Sequence, residues 1–151
     1  MDLVTILVAA RPQVLDEAYA ALQRSHVSHY EAAGERFTRD RLNDLYTLVV
    51  DAIRDRDLAA VGAYAELVAT QRFNAGFDVS DVQTGFNALE EAMWRHVVLA
   101  EPLADLAEAI GLLSTVLGAG KDALARQYVS LATRRHVPSL DLSSLFQGTN
   151  S

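Results

Sequence analysis

The sequence predicts an all-α, single-domain bundle of about five helices with a long C-terminal helix. Three observations carry this. Apolar residues recur at three- and four-residue spacing through nearly the whole chain, as one face of a helix requires. No segment alternates cleanly at period two, and no Asn-Gly or Asp-Gly hairpin signal occurs. The only prolines, Pro12, Pro102 and Pro138, leave the middle of the chain uninterrupted. With 151 residues, half of them hydrophobic, the chain is long enough for one real core and too apolar for intrinsic disorder.

The first helix is expected from about Leu3 to Ser28, with Leu3, Leu7, Ala10, Val14, Ala18 and Leu22 near one face. Pro12 is a candidate break, because proline suits a first turn and disfavours helical geometry at the residue before it. A polar segment containing Gly34 follows. The second helix is expected from about Thr38 to Arg54, carrying Leu42, Leu45, Tyr46, Val49 and Ile53. Asp57 is the expected N-cap of a third helix, Leu58 to Ala75, whose face is Val61, Tyr64, Ala65, Val68 and Arg72 or Phe73. Gly76 stands where a left-handed residue would end it. Ser80 with Gln83 forms an expected capping box for the fourth helix, and Asp78 and Asp81 complement its positive end. Val82, Phe86, Leu89, Met93 and Val97 form its apolar face. Pro102 opens the fifth helix, expected to run to about His136, with Pro138 as its stop. The domain is therefore residues 1–137. Residues 138–151 form a polar tail, relieved by Leu140, Leu142, Leu145 and Phe146, that is either a strap over the helices or a flexible end.

The fifth helix is apolar over much of its circumference. Leu103, Leu106, Ile110, Leu113, Leu117, Gly120, Leu124 and Leu131 follow a three-four repeat broken by Gln127, and Leu112, Val116, Ala119 and Ala123 widen it. Such a helix is covered on more than one side. Two accounts stay open: a central core helix, or a core helix that also forms a homodimer seam. In the second account Leu112, Val116, Ala119 and Gly120 are the candidate interface, with the fourth helix as the other candidate element. Gly111, Gly118 and Gly120 each cost about 1 kcal/mol against Ala inside a helix, which close helix approach would explain.

The charge balance excludes several function classes. Thirteen Lys and Arg against 20 Asp and Glu give a formal charge of −7, which argues against a nucleic-acid partner, since phosphates are neutralised by Lys and Arg. Residues 78–120 hold seven acids against Arg95 alone. This is either an acidic face for a basic partner or a solvated face with dipole-matched helix ends. The absence of cysteine removes disulfides, thiolate metal sites and a Cys nucleophile. The twelve-residue uncharged run from Ala109 to Gly120 is too short for the ~20 residues of a membrane span. The first basic residue, Arg11, follows the N-terminal apolar stretch, the reverse of a secretory signal. A cytoplasmic protein without a membrane partner is expected.

No catalytic constellation emerges. His26, His29 and Glu31 lie near a helix end, but a metal site needs three or four ligands and no HExxH or second His pair is present, so they are expected to be exposed polar residues. His96, beside Trp94 and Arg95, lacks any motif that would mark a haem ligand, and is expected at the surface or an interface. Glu90 and Glu91 point about 100° apart on a helix. Neither begins the Glu-x-x-His of a di-iron bundle, since Met93 and Trp94 stand three residues on. No nucleophile elbow, Ser-x-x-Lys, Walker loop or dinucleotide fingerprint is present. The expectation is a non-enzymatic protein with no cofactor and no metal.

The segment Arg72-Phe73-Asn74-Ala75-Gly76-Phe77-Asp78-Val79-Ser80-Asp81-Val82, continuing through Phe86, Leu89 and Trp94, resembles the helical N-terminal domains of RsbR-type stressosome proteins, the co-antagonists of the RsbT kinase. The shared pattern is an arginine-ended helix, a glycine turn, a capped start and a long amphipathic helix with an aromatic near its end. The resemblance implies an all-helical, often dimeric, non-enzymatic signal-input or protein-interaction domain. RsbR-type proteins carry an output domain after this module, where the present sequence has a short tail, so a separate signalling partner is expected. The alternative function is a small-molecule sensor with an apolar pocket between helices, lined by Phe73, Phe77, Phe86 and Trp94.

Overall fold

The computed structural model describes residues 2–140, and these form six helices: α1 (Leu3–Ser25), α2 (Ser28–Ala33), α3 (Glu35–Asp55), α4 (Ala59–Asn74), α5 (Val79–Ala100) and α6 (Leu103–Leu140). No strand occurs among the described residues. The all-α bundle with a long last helix is as the sequence predicts, with α2 added in the polar segment before Gly34.

Each helix end has a local cause. Asp2 N-caps α1 by accepting the Thr5 amide at 2.8 Å. Helix α1 runs through Pro12 without a break. Pro12 is exposed and its missing N–H leaves the carbonyl of Val8 without its helical donor, at a residue that is itself half in solvent, where an unpaired carbonyl costs little. Gly34, at φ +96°, separates α2 from α3. Asp57 acts one residue earlier than an N-cap, accepting the Ala59 amide at 2.9 Å while Leu58 takes the cap position.

The α4–α5 corner closes as a Schellman motif. The Phe77 amide donates to the Arg72 carbonyl at 2.9 Å and the Gly76 amide to the Phe73 carbonyl at 3.1 Å, with Gly76 at φ +88°. The capping box of α5 is Asp78 with Asp81, not Ser80 with Gln83. The Asp78 amide donates to Asp81 Oδ2 at 3.1 Å, which starts the helix at Val79 and leaves Ser80 inside the first turn. At the other end α6 passes the expected stop at Pro138 and continues to Leu140. Proline there removes one amide from the ladder without reversing the chain. The remainder of the tail, with Leu142, Leu145 and Phe146, lies outside the described residues.

Helix α1 packs against α5 and α3, and α6 packs against α4, α5 and α3. Helix α1 lies antiparallel to α5 and to α3, and α6 lies parallel to α4 and antiparallel to α5. Named contacts fix the register. Gly120 of α6 sits against Phe86 and Val61, Lys121 pairs with Glu90 at 3.2 Å, and Gln127 bonds Thr70 at 3.3 Å. Tyr128 donates its hydroxyl to the Phe77 carbonyl at 3.1 Å. On the other side Tyr46 of α3 donates to the Leu7 carbonyl of α1, and Arg11 reaches Asn43 and Thr47 at 2.8 and 2.9 Å. The core holds Leu7, Val14, Leu22, Tyr46, Val49, Leu89, Met93, Leu113, Leu117 and Leu124. Helix α6 is about 57 Å long, from 38 residues at ~1.5 Å each. Its last twelve residues continue past Tyr128, the level at which α4 ends and α5 begins.

The wide apolar surface of α6 is therefore largely intramolecular. Of the four candidate interface residues, Val116 and Gly120 are buried in the core, and Leu112 and Ala119 are half-buried. Leu112 packs beside Arg56 and Leu58 at the α3–α4 turn. Five other helices suffice to cover α6 because α3, α4 and α5 reach it from three directions. No helix among the described residues is long and apolar enough to cross a membrane.

Candidate functional site

The four candidate pocket aromatics do not converge. Phe86 lines an inner cavity, together with Leu22, Tyr30, Thr38, Arg41, Tyr64 and Arg72. The Phe77 ring instead meets Tyr30 edge-on, with centroids 5.1 Å apart, and His29 at 4.8 Å. Phe73 packs edge-on against Tyr128, at 5.8 Å. Trp94 lies on the outer face of α5, in a shallow groove with Glu90, Glu91, Arg95, Val98 and Leu99. Residues 73, 77, 86 and 94 follow helical spacing only in part, and α5 turns Trp94 about 100° away from the buried Met93.

The inner cavity is small, about 30 Å³, and its polar lining is unusual. Arg72 is only 4% exposed, on the face where apolar periodicity places it. Among the described residues no carboxylate forms an ion pair with it, and its Nε finds no hydrogen-bond acceptor. A guanidinium cannot shed its proton in a protein, so burial leaves the charge in place at a cost of several kcal/mol unless something offsets it. Two aromatic faces supply part of the offset: Arg72 Cζ lies 4.5 Å from the Phe37 centroid and 5.6 Å from that of Phe77. Arg41 approaches Phe37 as well, at 5.6 Å, and pairs through Nη2 with Asp44 at 3.1 Å. Its Nε is also buried and without an acceptor.

The tyrosines around the cavity stay neutral. Burial pushes the Tyr30 hydroxyl up, against the opposing pull of Arg72. Burial, with help from Asp44 and opposed by Arg41 and Arg72, raises Tyr64 to about 12. Both keep their phenolic protons at neutral pH, and the Tyr30 oxygen accepts a hydrogen bond from Arg72. Gly85 lies close to this wall: a Cβ there would stand 3.2 Å from the Tyr30 hydroxyl, which would have to give by a few tenths of an ångström.

His26, His29 and His96 are each paired with an acid. His29 Nδ1 lies 2.9 Å from Asp81 Oδ2 and ties α2 to the first turn of α5, so it is more than an exposed polar residue. His26 lies 3.4 Å from Glu31 at the surface, and His96 lies 3.2 Å from Glu17 of α1. Among the described residues no group of three or more His, Cys, Asp or Glu is placed to hold a metal.

The outer groove of α5 is the second feature. Val98 and Leu99 are 44% and 86% exposed, large values for apolar side chains that adjoin a half-buried tryptophan. Glu91 and Arg95 bond each other at 2.7 Å along its edge. Sequence periodicity places Tyr64 and Arg72 on one helix face but does not single out Arg41, Phe37 or Tyr30; the available signal was Arg72 itself, a cation at an apolar position of that face.

Comparison of the chain with protein-family models, with curated proteins and with solved structures finds no match.

Proposed function

We propose that this chain is a non-enzymatic regulatory module that acts through protein–protein contact, beginning with a second copy of itself across the outer face of α5. The observation that carries the reading is the solvent-facing cluster of Trp94, Val98 and Leu99, bordered by an acid and a base. Large exposed apolar groups gathered on one helix face mark interaction surfaces. The face is also self-complementary. A two-fold axis crossing α5 near Met93 sets Glu91 of one copy opposite the partner's Arg95 and brings the two Trp94 rings near each other, as an isologous contact requires. An interface limited to this face falls at the small end of the ~1,200–2,000 Å² typical of stable complexes, which implies a concentration-dependent dimer.

A cytoplasmic role in bacterial stress-response signalling, with a separate signalling protein as the next partner, is the part of this proposal that rests on the resemblance of residues 72–94 to RsbR-type helical domains. The small-molecule-sensor reading has less support, since the cavity that Phe86 lines has room for only a water or two.

Sedimentation velocity over the micromolar range tests the proposal. The wild type should show a monomer–dimer equilibrium, and the double substitution Val98→Glu, Leu99→Glu should be monomeric with an unchanged far-UV circular dichroism spectrum. A wild-type monomer throughout that range would overturn it.

A further inference from the structure

We propose that the cavity between α3, α4 and α5 is a binding site for one small monovalent anion of halide size, held by Arg72 and Arg41. The inference is independent of self-association. It begins with charge. Arg41 is already balanced by Asp44, whereas Arg72, buried to 96%, has no acid opposite it among the described residues. One positive charge is left over, so one negative charge is what the site lacks. Water in the cavity would satisfy a donor but would not neutralise a cation.

Geometry points the same way. Arg72 Cζ lies over the Phe37 and Phe77 rings, and Arg41 Cζ over Phe37. A ring face accepts no in-plane N–H, and the Nε of both arginines is buried without an acceptor beside the same cavity. The other polar side chains of the wall are Tyr30, Thr38 and Tyr64; the two phenols keep their protons, Thr38 donates its hydroxyl to the Gly34 carbonyl at 2.9 Å, and no carboxylate lines the wall. Two buried guanidinium N–H groups without an acceptor thus belong to residues that line one small cavity. Size then selects the ligand. About 30 Å³ admits an ion no larger than a water or two, which suits chloride and excludes phosphate, sulfate or an organic acid unless core side chains move.

The test uses chloride as the probe. Protein prepared in gluconate is titrated with chloride at constant ionic strength and protein concentration, and its thermal midpoint is followed. A ligand that binds only the folded state multiplies the folded-to-unfolded ratio by 1 + [L]/Kd, so each tenfold rise in chloride well above Kd should increase that ratio about tenfold. Arg72→Met, similar in length and uncharged, should lose this dependence, and Arg24→Met on the exposed end of α1 should keep it. Bromide-soaked crystals of the wild type should show anomalous density within hydrogen-bond distance of both Nε atoms, a readout that stands even if Arg72→Met fails to fold. Equal midpoints in chloride and gluconate, a chloride effect retained by Arg72→Met, or bromide absent from the cavity would each overturn the proposal.

Discussion

Alanine at each of the three glycines of α6 should separate a cost borne by every helix from a contact made by only one. Inside a helix, Gly→Ala recovers about 1 kcal/mol of backbone entropy and propensity. At Gly111 and Gly118 a Cβ would meet nothing within 4 Å, so both substitutions should stabilise by ~0.5–1 kcal/mol. At Gly120 the same Cβ would stand 3.0 Å from Phe86 Cε1 and 3.2 Å from Val61 Cγ1. Both neighbours are buried, and overfilling a packed core costs about 1–3 kcal/mol. The propensity gain offsets the lower end of that range, leaving a net loss of roughly 0–2 kcal/mol for Gly120→Ala. The lower values apply if the Phe86 ring shifts toward the cavity it lines. Urea denaturation followed by circular dichroism measures the differences. For a chain of this size each 1 kcal/mol should appear as about 2–4 °C in Tm. The informative quantity is the contrast between positions 118 and 120. If Gly120→Ala stabilises as much as Gly118→Ala, then α6 does not approach α4 and α5 at Gly120 as described, and the account of that contact is wrong.

Four further outcomes are expected. At the α4–α5 corner, Gly76→Ala should cost about 1 kcal/mol through its positive φ alone, because no atom lies within 4 Å of the added Cβ. In the same corner Asp78→Ala should cost a similar ~1 kcal/mol while Ser80→Ala stays near zero by chemical denaturation; the reverse order would return the cap to Ser80. Val116→Glu should unfold the chain rather than dissociate a dimer, since Val116 is 3% exposed within one copy and an unpaired buried charge costs several kcal/mol. A folded, helical Val116→Glu protein would contradict this. Tyr46 and Tyr128 are each raised to about 12 by burial, so the unfolded chain, with tyrosines near 10, loses its phenolic protons first. Their contribution is complete below pH ~10 and is lost as pH rises toward 12, by about 1.4 kcal/mol per pH unit for each; an unfolding free energy flat over that window would refute the assignment.

Most helices were legible because their apolar faces repeat over several turns. Val82, Phe86, Leu89, Met93 and Val97 are all buried, as their spacing requires. Helix α2 escaped because six residues give too little periodicity to register, and its only buried side chain is Tyr30. The start of α5 was ambiguous within Asp78-Val79-Ser80-Asp81, where two side chains compete as cap and local sequence does not rank them. The breadth of apolar surface on α6 was readable, but which neighbour covers Val116 and Gly120 depends on how α3, α4 and α5 assemble around them. Arg72 illustrates the limit most clearly. Its place on the buried face followed from spacing, whereas its lack of an acidic partner is a property of everything that surrounds it.

The antiparallel pairing of α1 with α5 bears on how the chain acquires its structure. Glu17 and His96 meet across 79 positions of sequence, so α1 has no α5 to pack against until most of the domain has been made. At a synthesis rate of ~5–20 residues per second that interval is on the order of 4–16 s. During it Leu7, Val14 and Leu22, all destined for the core, present their side chains to water or to whatever apolar surface is near. Helix α3 arrives earlier and covers part of this face through Tyr46 and Leu7, which makes the α1–α3 hairpin the natural holding arrangement. Substitutions that weaken Arg11–Asn43 or Arg39–Asp16 should therefore reduce the yield of folded protein in cells more than they lower its equilibrium stability.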